Sequence, residues 1–509
     1  MSQGRPAAGS FDLVALEPAF LEPVLRTYLA RQPWFRGDEF NARVVSKEIL
    51  WRAGPPGHVI SGGAGAAEAP APGGAASPGL PAEPGPALVW ALLESGGRSY
   101  QALVGICHES VIRGRCGERE RALLGPLASG YVAYDALADA ELCLALLEVA
   151  SDRRAHASLV RPAGDEPSRV SYLVYDDRLL LKVYRRLRDP GPDPDVEVTL
   201  ALDRMGFNHL PAPVFTWGRE GRDLAMAQEF LVGGTEGWSL GLTSLRELYA
   251  SAVATSAATA DTRPVVETVA GAGGDFGAEA RRLGEMTARM HLALAGAFGA
   301  EPGRPARWAE RARAGLDALS GSGLLPGGLS LAPAFEVLER LAAVEDPGMA
   351  IRPHGDFHLG QVMRTAMGWF VLDFEGAPDY PTGGPPARCS PAWDVVGMLH
   401  SFRYAAATAR RERGPEESES VADLARAWEQ RNRTAFLQGY LSTRDVAALL
   451  PPRQASFETV LSAHSVEQAA LEIAAAGGRS ARGDLARRDL ERLLVAAEAI
   501  SAVGEAPAP

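Results

Sequence analysis

The chain has 509 residues and a formal net charge of −12, with 51 Lys and Arg side chains against 63 Asp and Glu. This acidic balance argues against bulk binding of nucleic acid or of an anionic membrane surface. No apolar run reaches the roughly 18 residues of a membrane span, and residues 1–20 lack the basic start and apolar core of a signal peptide. We therefore expect a cytoplasmic protein that binds small molecules, with no nucleic-acid or membrane partner.

Residues 1–150 predict a small α/β domain. Strand-like patterns occupy 43–51, 87–93 and 101–106, and a helical pattern occupies 136–149. Between the first two strands, 21 of the 25 residues at 62–86 are Gly, Ala or Pro. Such a composition predicts a disordered loop, which we expect at a hairpin tip.

Residues 151–235 predict a β-rich unit with a functional lysine. Apolar runs at 172–175 and 179–184, separated by Asp176 and Asp177, indicate a hairpin whose second strand carries Lys182. A helix is predicted from 195 to 202, because Pro194 precedes it and acidic residues fill its first turn. A strand lysine held by a helical glutamate, here Glu197, is the arrangement by which kinases contact the α/β-phosphates of ATP.

Other nucleotide contacts are expected on either side of this hairpin. Residues 164–171 lack a glycine-rich phosphate motif, so phosphate contact would rest on backbone amides and on the hydroxyls of Ser168 and Ser171. The strand at 224–231 stands where a hinge between two lobes would receive adenine. Its candidate adenine-binding residues are Gln228, Glu229 and Leu231.

Residues 236–509 are predicted to be mainly helical, with amphipathic stretches at 242–259, 277–294, 332–344, 421–441 and 484–497. This region contains the motif His354-Gly355-Asp356-Phe357-His358-Leu359-Gly360-Gln361, followed by a short strand that ends at Asp373. Phosphoryl transfer needs a carboxylate that orients the attacking hydroxyl and oxygen ligands that hold Mg²⁺ on the phosphates. Asp356 suits the first role, and Gln361 and Asp373 suit the second.

Two further residues are candidates for supporting the catalytic loop. His354 opens the motif, and Asp394 lies four residues after Ser390, a plausible helix N-cap. Asp394 either holds the loop through backbone amides or stabilises the helix N-terminus through its dipole. The sequence leaves both roles open.

These motifs together resemble the actinobacterial maltokinases, within the wider group of aminoglycoside-phosphotransferase-like kinases. The resemblance covers most of the chain and rests on residues 181–187, 194–199, 227–231, 275–281, 354–365, 373–376 and 390–399. It implies an α+β, bilobal, protein-kinase-like fold with an N-terminal α/β cap: residues 1–150 as cap, 151–235 as N-lobe and 236–509 as C-lobe. It also implies transfer of phosphate from ATP with Mg²⁺ to maltose, giving maltose 1-phosphate, and an association with a trehalose- or maltose-interconverting enzyme.

Alternatives for the acceptor remain open. The C-terminal helix at 466–473 lacks the tyrosines usual in maltokinases and is similar to that of glucosamine kinases, which share the cap and the catalytic loop. An amino sugar or aminoglycoside would pair its ammonium groups with Glu375 and Asp379, and His358 is a further candidate at the acceptor site. A non-catalytic protein on a retired kinase fold is a third hypothesis, disfavoured by the complete set of Lys182, Asp356, Gln361 and Asp373.

Overall fold

The computed structural model describes residues 16–35, 37, 41–53, 85–112, 115, 122–164, 169–188, 191–258, 275–327, 329–374, 376, 388–477 and 481–504. Most of the predicted loop at 62–86 lies outside these ranges, as do Ser168, Glu375 and Asp379. In the described part of the chain, no helix is long and apolar enough to cross a membrane. Two compact units are present: residues 1–196 with 212–232, and residues 197–211 with 233–509.

The first unit is built on two antiparallel sheets. Its strands are β1 (Arg43–Arg52), β2 (Ala87–Ser95), β3 (Arg98–His108), β4 (Leu123–Pro126), β5 (Tyr131–Asp135), β6 (Val160–Ala163), β7 (Val170–Tyr175), β8 (Leu179–Tyr184), β9 (Arg186–Leu187), β10 (Pro213–Arg219) and β11 (Arg222–Glu229). One sheet has the order β1-β2-β3-β5-β4, and the other has the order β10-β11-β8-β7-β6. Helices α1 (Pro18–Ala30) and α2 (Ala140–Ala150) complete the cap, and α3 (Pro194–Arg204) follows β9.

The cap and the second sheet are joined by hydrogen bonds rather than by a linker alone. Strand β9, which follows β8 directly, pairs with β3 of the cap. The buried amide nitrogen of Gln101 on β3 donates at 2.6 Å to the carbonyl oxygens of Tyr184 and Leu224 in the other sheet. The guanidinium of Arg185 binds both carboxylate oxygens of Asp135 in the cap, at 3.0 and 2.8 Å. The expected cap and N-lobe therefore lie in one compact unit, and residue 150 is not a boundary between units.

The second unit is mainly helical. Its helices are α4 (Gly237–Ala258), α5 (Gly277–Phe298), α6 (Pro305–Gly321), α7 (Ala332–Ala342), α8 (Ala392–Arg411), α9 (Pro415–Ser420), α10 (Ala422–Ser442), α11 (Gln454–Ala476) and α12 (Ala481–Gly504). Its short strands are β12 (Thr235–Glu236), β13 (Glu301–Pro302), β14 (Met349–Ala350), β15 (Val362–Thr365) and β16 (Gly368–Val371). Strands β12, β15 and β16 form one small sheet, and β13 pairs with β14.

Helices α5 and α10 pack with almost no space between their backbones. A Cβ atom added at Gly284 would lie 2.0 Å from the carbonyl oxygen of Phe436, and one added at Gly439 would lie 2.0 Å from that of Arg281. Such contacts are possible only where both helices carry glycine. The pair lies in the large apolar core of this unit, which also contains buried residues of α8 and α11.

Candidate active site

Asp394 holds the loop that carries Asp356. Its carboxylate is fully buried in the first turn of α8, where it accepts hydrogen bonds from the amides of His354 at 2.8 Å and Gly355 at 2.9 Å. The indole of Trp393 donates to the carbonyl oxygen of Gly355 at 3.1 Å. Because both amides lie one or two residues before Asp356, these bonds fix the backbone that presents the candidate base.

The charge of Asp394 is stabilised inside the core. Burial favours the neutral acid, but a hydrogen bond from His291 at 3.1 Å, the charges of His291 and His354, and the amide of Gly355 together lower the pKa of Asp394. The other ring nitrogen of His291 is 2.8 Å from the hydroxyl of Tyr440. A chain of polar groups therefore runs from α10 through α5 to the catalytic loop.

Gln361 and Asp373 lie on neighbouring backbone segments. The carbonyl oxygen of Gln361, at the end of the 3₁₀ turn Leu359–Gln361, accepts a hydrogen bond from the amide of Leu372 at 2.9 Å. Leu372 in turn accepts a hydrogen bond from a ring nitrogen of His354 at 3.0 Å. Asp373 has a positive φ of 45°, a conformation that is costly outside glycine and concentrated at functional sites.

The side chains of Gln361 and Asp373 suit a magnesium ion bound to a nucleotide. Both supply oxygen donors, both are partly exposed, and their segments are joined by the hydrogen bond just described. Protein Mg²⁺ sites commonly use one or two carboxylates and take the remaining ligands from water and substrate phosphates. The donor set therefore fits this ion.

Lys182 is paired with Asp195 and not with Glu197, contrary to the sequence-based expectation. The ammonium of Lys182 lies 2.9 Å from Oδ2 of Asp195, and the hydroxyl of Tyr184 donates to the same oxygen at 2.9 Å. Both members of the ion pair are buried, with side-chain exposures of 2% and 0%. Glu197 instead forms an ion pair with Arg352.

The helical repeat explains this difference. Asp195 and Glu197 are two residues apart in α3, so their side chains point about 200° apart around the helix axis. Only one of them can face Lys182. The first turn of the predicted helix held two acidic candidates, and the sequence pattern did not distinguish them.

The other predicted nucleotide-binding residues have varied environments. Ser171 on β7 accepts a hydrogen bond from Nε of Arg185 at 2.9 Å. Gln228 is buried and Glu229 exposed at the end of β11, and Leu231 follows them half-buried. Ser168 lies outside the described residues.

A cavity of about 480 Å³ opens beside Asp356 within the second unit. Its walls come from the catalytic loop, from the start of α4, and from α8, α11 and α12. The lining residues include Asp356, His358, Glu236, Trp238, Trp393, Ser401, Tyr404, Gln468 and Glu472.

The cavity combines carboxylates with aromatic rings. Glu236, Asp356 and Glu472 supply three acidic side chains, and Glu472 accepts a hydrogen bond from the hydroxyl of Tyr404. Gln468 is held by its own bond to the carbonyl oxygen of Trp393, at 2.7 Å. Carboxylates and hydrogen-bonding groups next to aromatic surface are suited to a small polar ligand with a positive charge.

Of the three predicted acceptor-site residues, His358 lies in the described part of the chain. His358 lines the cavity, and its Nε2 atom is 3.8 Å from Oδ2 of Asp356. Its Nδ1 atom accepts a hydrogen bond from the amide of Gly360 at 3.0 Å. Glu375 and Asp379, expected to bind ammonium groups, lie outside the described residues.

Comparison with known proteins supports the fold indicated by this geometry. Residues 158–381 match the family model described as APH, the phosphotransferase enzyme family. A solved glucosamine kinase, in complex with glucosamine, ADP and inorganic phosphate, superposes over 82% of this chain and 91% of its own, with a TM-score of 0.51 and 22% identity. The chain has this kinase-like fold. It is of the α+β class, as the sequence predicted.

Two curated relatives are similar in sequence to about half of this chain. A glucosamine kinase of Streptacidiphilus jiangxiensis is 30% identical over 271 residues, which cover 50% of this chain and 55% of the relative. A second, from Mycolicibacterium smegmatis, is 27% identical over 277 residues, covering 52% of this chain and 64% of the relative. The chain therefore matches between about half and two thirds of the length of these relatives.

Sequence reasoning missed the partner of Lys182 in the first unit and several residues that line the cavity in the second. Asp195 was overlooked beside Glu197, although both stood in the first turn of the predicted helix. Gln468 and Glu472 lie at positions i and i+4 of α11, a spacing that places two polar side chains on one helix face. Glu236 and Trp238 carried no recognisable signal before the fold brought them to the cavity.

Proposed function

We propose that this protein is an ATP-dependent kinase that phosphorylates a hydroxyl group of an amino sugar of the glucosamine class. The observation that carries the proposal is the cavity beside Asp356, where Glu236, Glu472 and Asp356 itself supply negative charge. An ammonium group at neutral pH would be attracted to these carboxylates. The relatives that carry the glucosamine kinase name lend independent support.

In the proposed reaction, the sugar hydroxyl attacks the γ-phosphorus of ATP and ADP leaves. The carboxylate of Asp356 orients the hydroxyl and accepts its proton. The hydrogen bonds that Asp394 accepts from the amides of His354 and Gly355 keep the loop in place. Lys182, oriented by Asp195 and Tyr184, contributes positive charge for the α/β-phosphates. Mg²⁺ on Gln361 and Asp373, when bound, would neutralise charge on the phosphates.

Maltose, the acceptor expected from the resemblance to maltokinases, is the second candidate acceptor. It is neutral and offers no positive charge to the carboxylates of Glu236 and Glu472. Hydroxyl groups still bind carboxylates well, so the same cavity is compatible with a neutral sugar. The expected association with a maltose- or trehalose-interconverting enzyme belongs to this second hypothesis.

The test is ADP release from Mg-ATP across a panel of glucosamine, glucose, maltose and an aminoglycoside. The Asp356→Ala variant is the blank, because loss of the base is expected to lower turnover by about 10²-fold or more. Glucosamine-dependent release that is absent with glucose would support the proposal. Release with maltose alone would reject the amino sugar, and an unchanged rate in Asp356→Ala would reject the assigned base.

A further inference from the structure

The cavity beside Asp356 extends far along α8. Beyond Trp393 in its first turn, the lining residues from this helix are Gly397, His400, Ser401, Tyr404, Thr408 and Arg411. Their spacing of three or four residues places them on one helix face. From position 397 to position 411 the face spans about four turns, or about 21 Å.

A single hexosamine cannot fill this length. Gly397 packs against the catalytic loop, since a Cβ atom there would lie 2.5 Å from the carbonyl oxygen of Phe357. A sugar with a hydroxyl at Asp356 therefore occupies the end of the cavity near Gly397. One pyranose ring reaches little beyond one helical turn of about 5.4 Å, which leaves the part around Thr408 and Arg411 vacant.

The distant part of the cavity differs in chemistry from the part near Asp356. It is lined by Thr408, by Arg411 at the exposed mouth, and by Leu485 on α12. Tyr404, which donates a hydrogen bond to Glu472, lies between Ser401 and Thr408 on the lining face of α8. Negative charge is thus concentrated toward the base, whereas the outer end carries a cation, a hydroxyl and an apolar surface.

We propose that the physiological acceptor is an amino disaccharide. This inference rests on the proposed amino-sugar kinase activity and specifies its substrate. The amino sugar occupies the acidic end beside Asp356 and Glu236. The second ring lies between Tyr404 and Leu485, where the side chain of Thr408 lines the cavity.

Binding measurements separate this proposal from the question of activity. We would determine dissociation constants by calorimetry for glucosamine, for glucosaminyl-glucose and for glucosyl-glucosamine. The wild-type protein is expected to bind at least one mixed disaccharide about tenfold more tightly than glucosamine, a difference of about 1.4 kcal/mol.

Variants at Thr408 locate the second ring. Thr408→Trp should fill the outer cavity and abolish the disaccharide advantage while glucosamine affinity changes less than about threefold. Thr408→Ser is the matched control that retains the cavity and the advantage.

The two proposals fail in different ways. Equal affinity for glucosamine and both mixed disaccharides, or equal weakening of all ligands by Thr408→Trp, would overturn the outer subsite even if glucosamine is phosphorylated. Absence of any amino-sugar turnover would reject the kinase assignment even if the disaccharides bind. Circular dichroism of each variant would show that the fold is retained.

Discussion

Asp195 and Glu197 are neighbouring acids whose ion pairs differ in burial. The pair of Lys182 and Asp195 is buried, whereas that of Arg352 and Glu197 is partly exposed. Removing one partner of a buried ion pair leaves an uncompensated charge and costs about 3–5 kcal/mol. Asp195→Asn is therefore expected to lower the unfolding temperature and to weaken ATP binding by about tenfold or more. Nucleotide affinity can be measured by calorimetry below the unfolding temperature of the variant.

Glu197→Gln is the matched control, since Glu197 pairs with Arg352 at a partly exposed site. Exposed ion pairs contribute only about 0–1 kcal/mol, and this change should leave ATP affinity almost intact. If Glu197→Gln weakened ATP binding as much as Asp195→Asn did, the assignment of Asp195 would be wrong.

Asp193 predicts a pH dependence of stability. Burial, with the charges of Asp195 and Asp223, raises the pKa of Asp193 from 3.8 to about 6, even though the amide of Asp195 donates to it. The folded state thus holds this proton more tightly than the unfolded state does. Between about pH 4 and pH 6 the folded protein binds more protons, so this group lowers stability as pH rises.

Asp193→Asn removes that charge while keeping an oxygen for the amide of Asp195. Relative to the wild type, the variant should become more stable as pH rises from 4 to 7, by at most about 3 kcal/mol. Urea unfolding at several pH values measures the difference. Asp203→Asn, at an exposed position in α3, is the matched control, and a flat difference for Asp193→Asn would contradict the prediction.

Helices and motifs were predicted from local pattern, but the walls of the cavity were not. Periodicity placed the helices near 277–294, 332–344 and 421–441, and the structure has them at Gly277–Phe298, Ala332–Ala342 and Ala422–Ser442. The motif at 354–361 predicted Asp356 as the candidate base because its chemistry is local. Glu236, Tyr404 and Glu472 meet only through tertiary packing, which no periodicity encodes, and the choice between Asp195 and Glu197 depends on helix rotation.

Gln101 shows how β3 and β8 act as one structure. Its amide group donates to two backbone carbonyls of the second sheet, and its oxygen accepts from the indole of Trp90 at 3.2 Å. Gln101→Leu would leave these buried groups unsatisfied, at about 1–3 kcal/mol each. We expect a clear fall in unfolding temperature, by differential scanning calorimetry, together with weaker ATP binding through the strand that carries Lys182.

The matched control for this change is Gln454→Leu. Gln454 is exposed and bonds only to the neighbouring carboxylate of Glu458 among the partners described for it. Its replacement should change the unfolding temperature by less than a degree or two, as expected of surface sites within about 0.5 kcal/mol. Equal effects of the two substitutions would mean that the Gln101 bridge is unimportant.

The whole chain is expected to respond very differently to two deletions in the cap. Removal of residues 1–150 takes away Gln101, Asp135 and the partner of β9, and so exposes apolar surface of the second sheet. The remaining fragment should aggregate or fail to bind ATP. Replacement of residues 54–84 by a two- or three-residue turn should be tolerated, because Ala53 and Pro86 are already joined by a backbone hydrogen bond of 3.0 Å.

Size-exclusion chromatography and nucleotide titration of both deletion variants test this contrast. A monomeric fragment of residues 151–509 with normal ATP affinity would show that the cap is an independent module. Loss of folding on replacement of 54–84 would show that the excised segment is needed for the fold.

The glycine contact between α5 and α10 makes the support of Asp394 depend on Gly284 and Gly439, which do not line the cavity. Every single-nucleotide missense change at Gly284 or Gly439 adds at least a β-carbon, and that atom would overlap a carbonyl oxygen of the facing helix. The two helices would have to separate, and His291 and Tyr440, which they carry, would lose their register beneath Asp394. In a saturation mutagenesis screen selected for activity, these two glycines should therefore be as intolerant of change as Asp356, although neither lines the cavity beside Asp356.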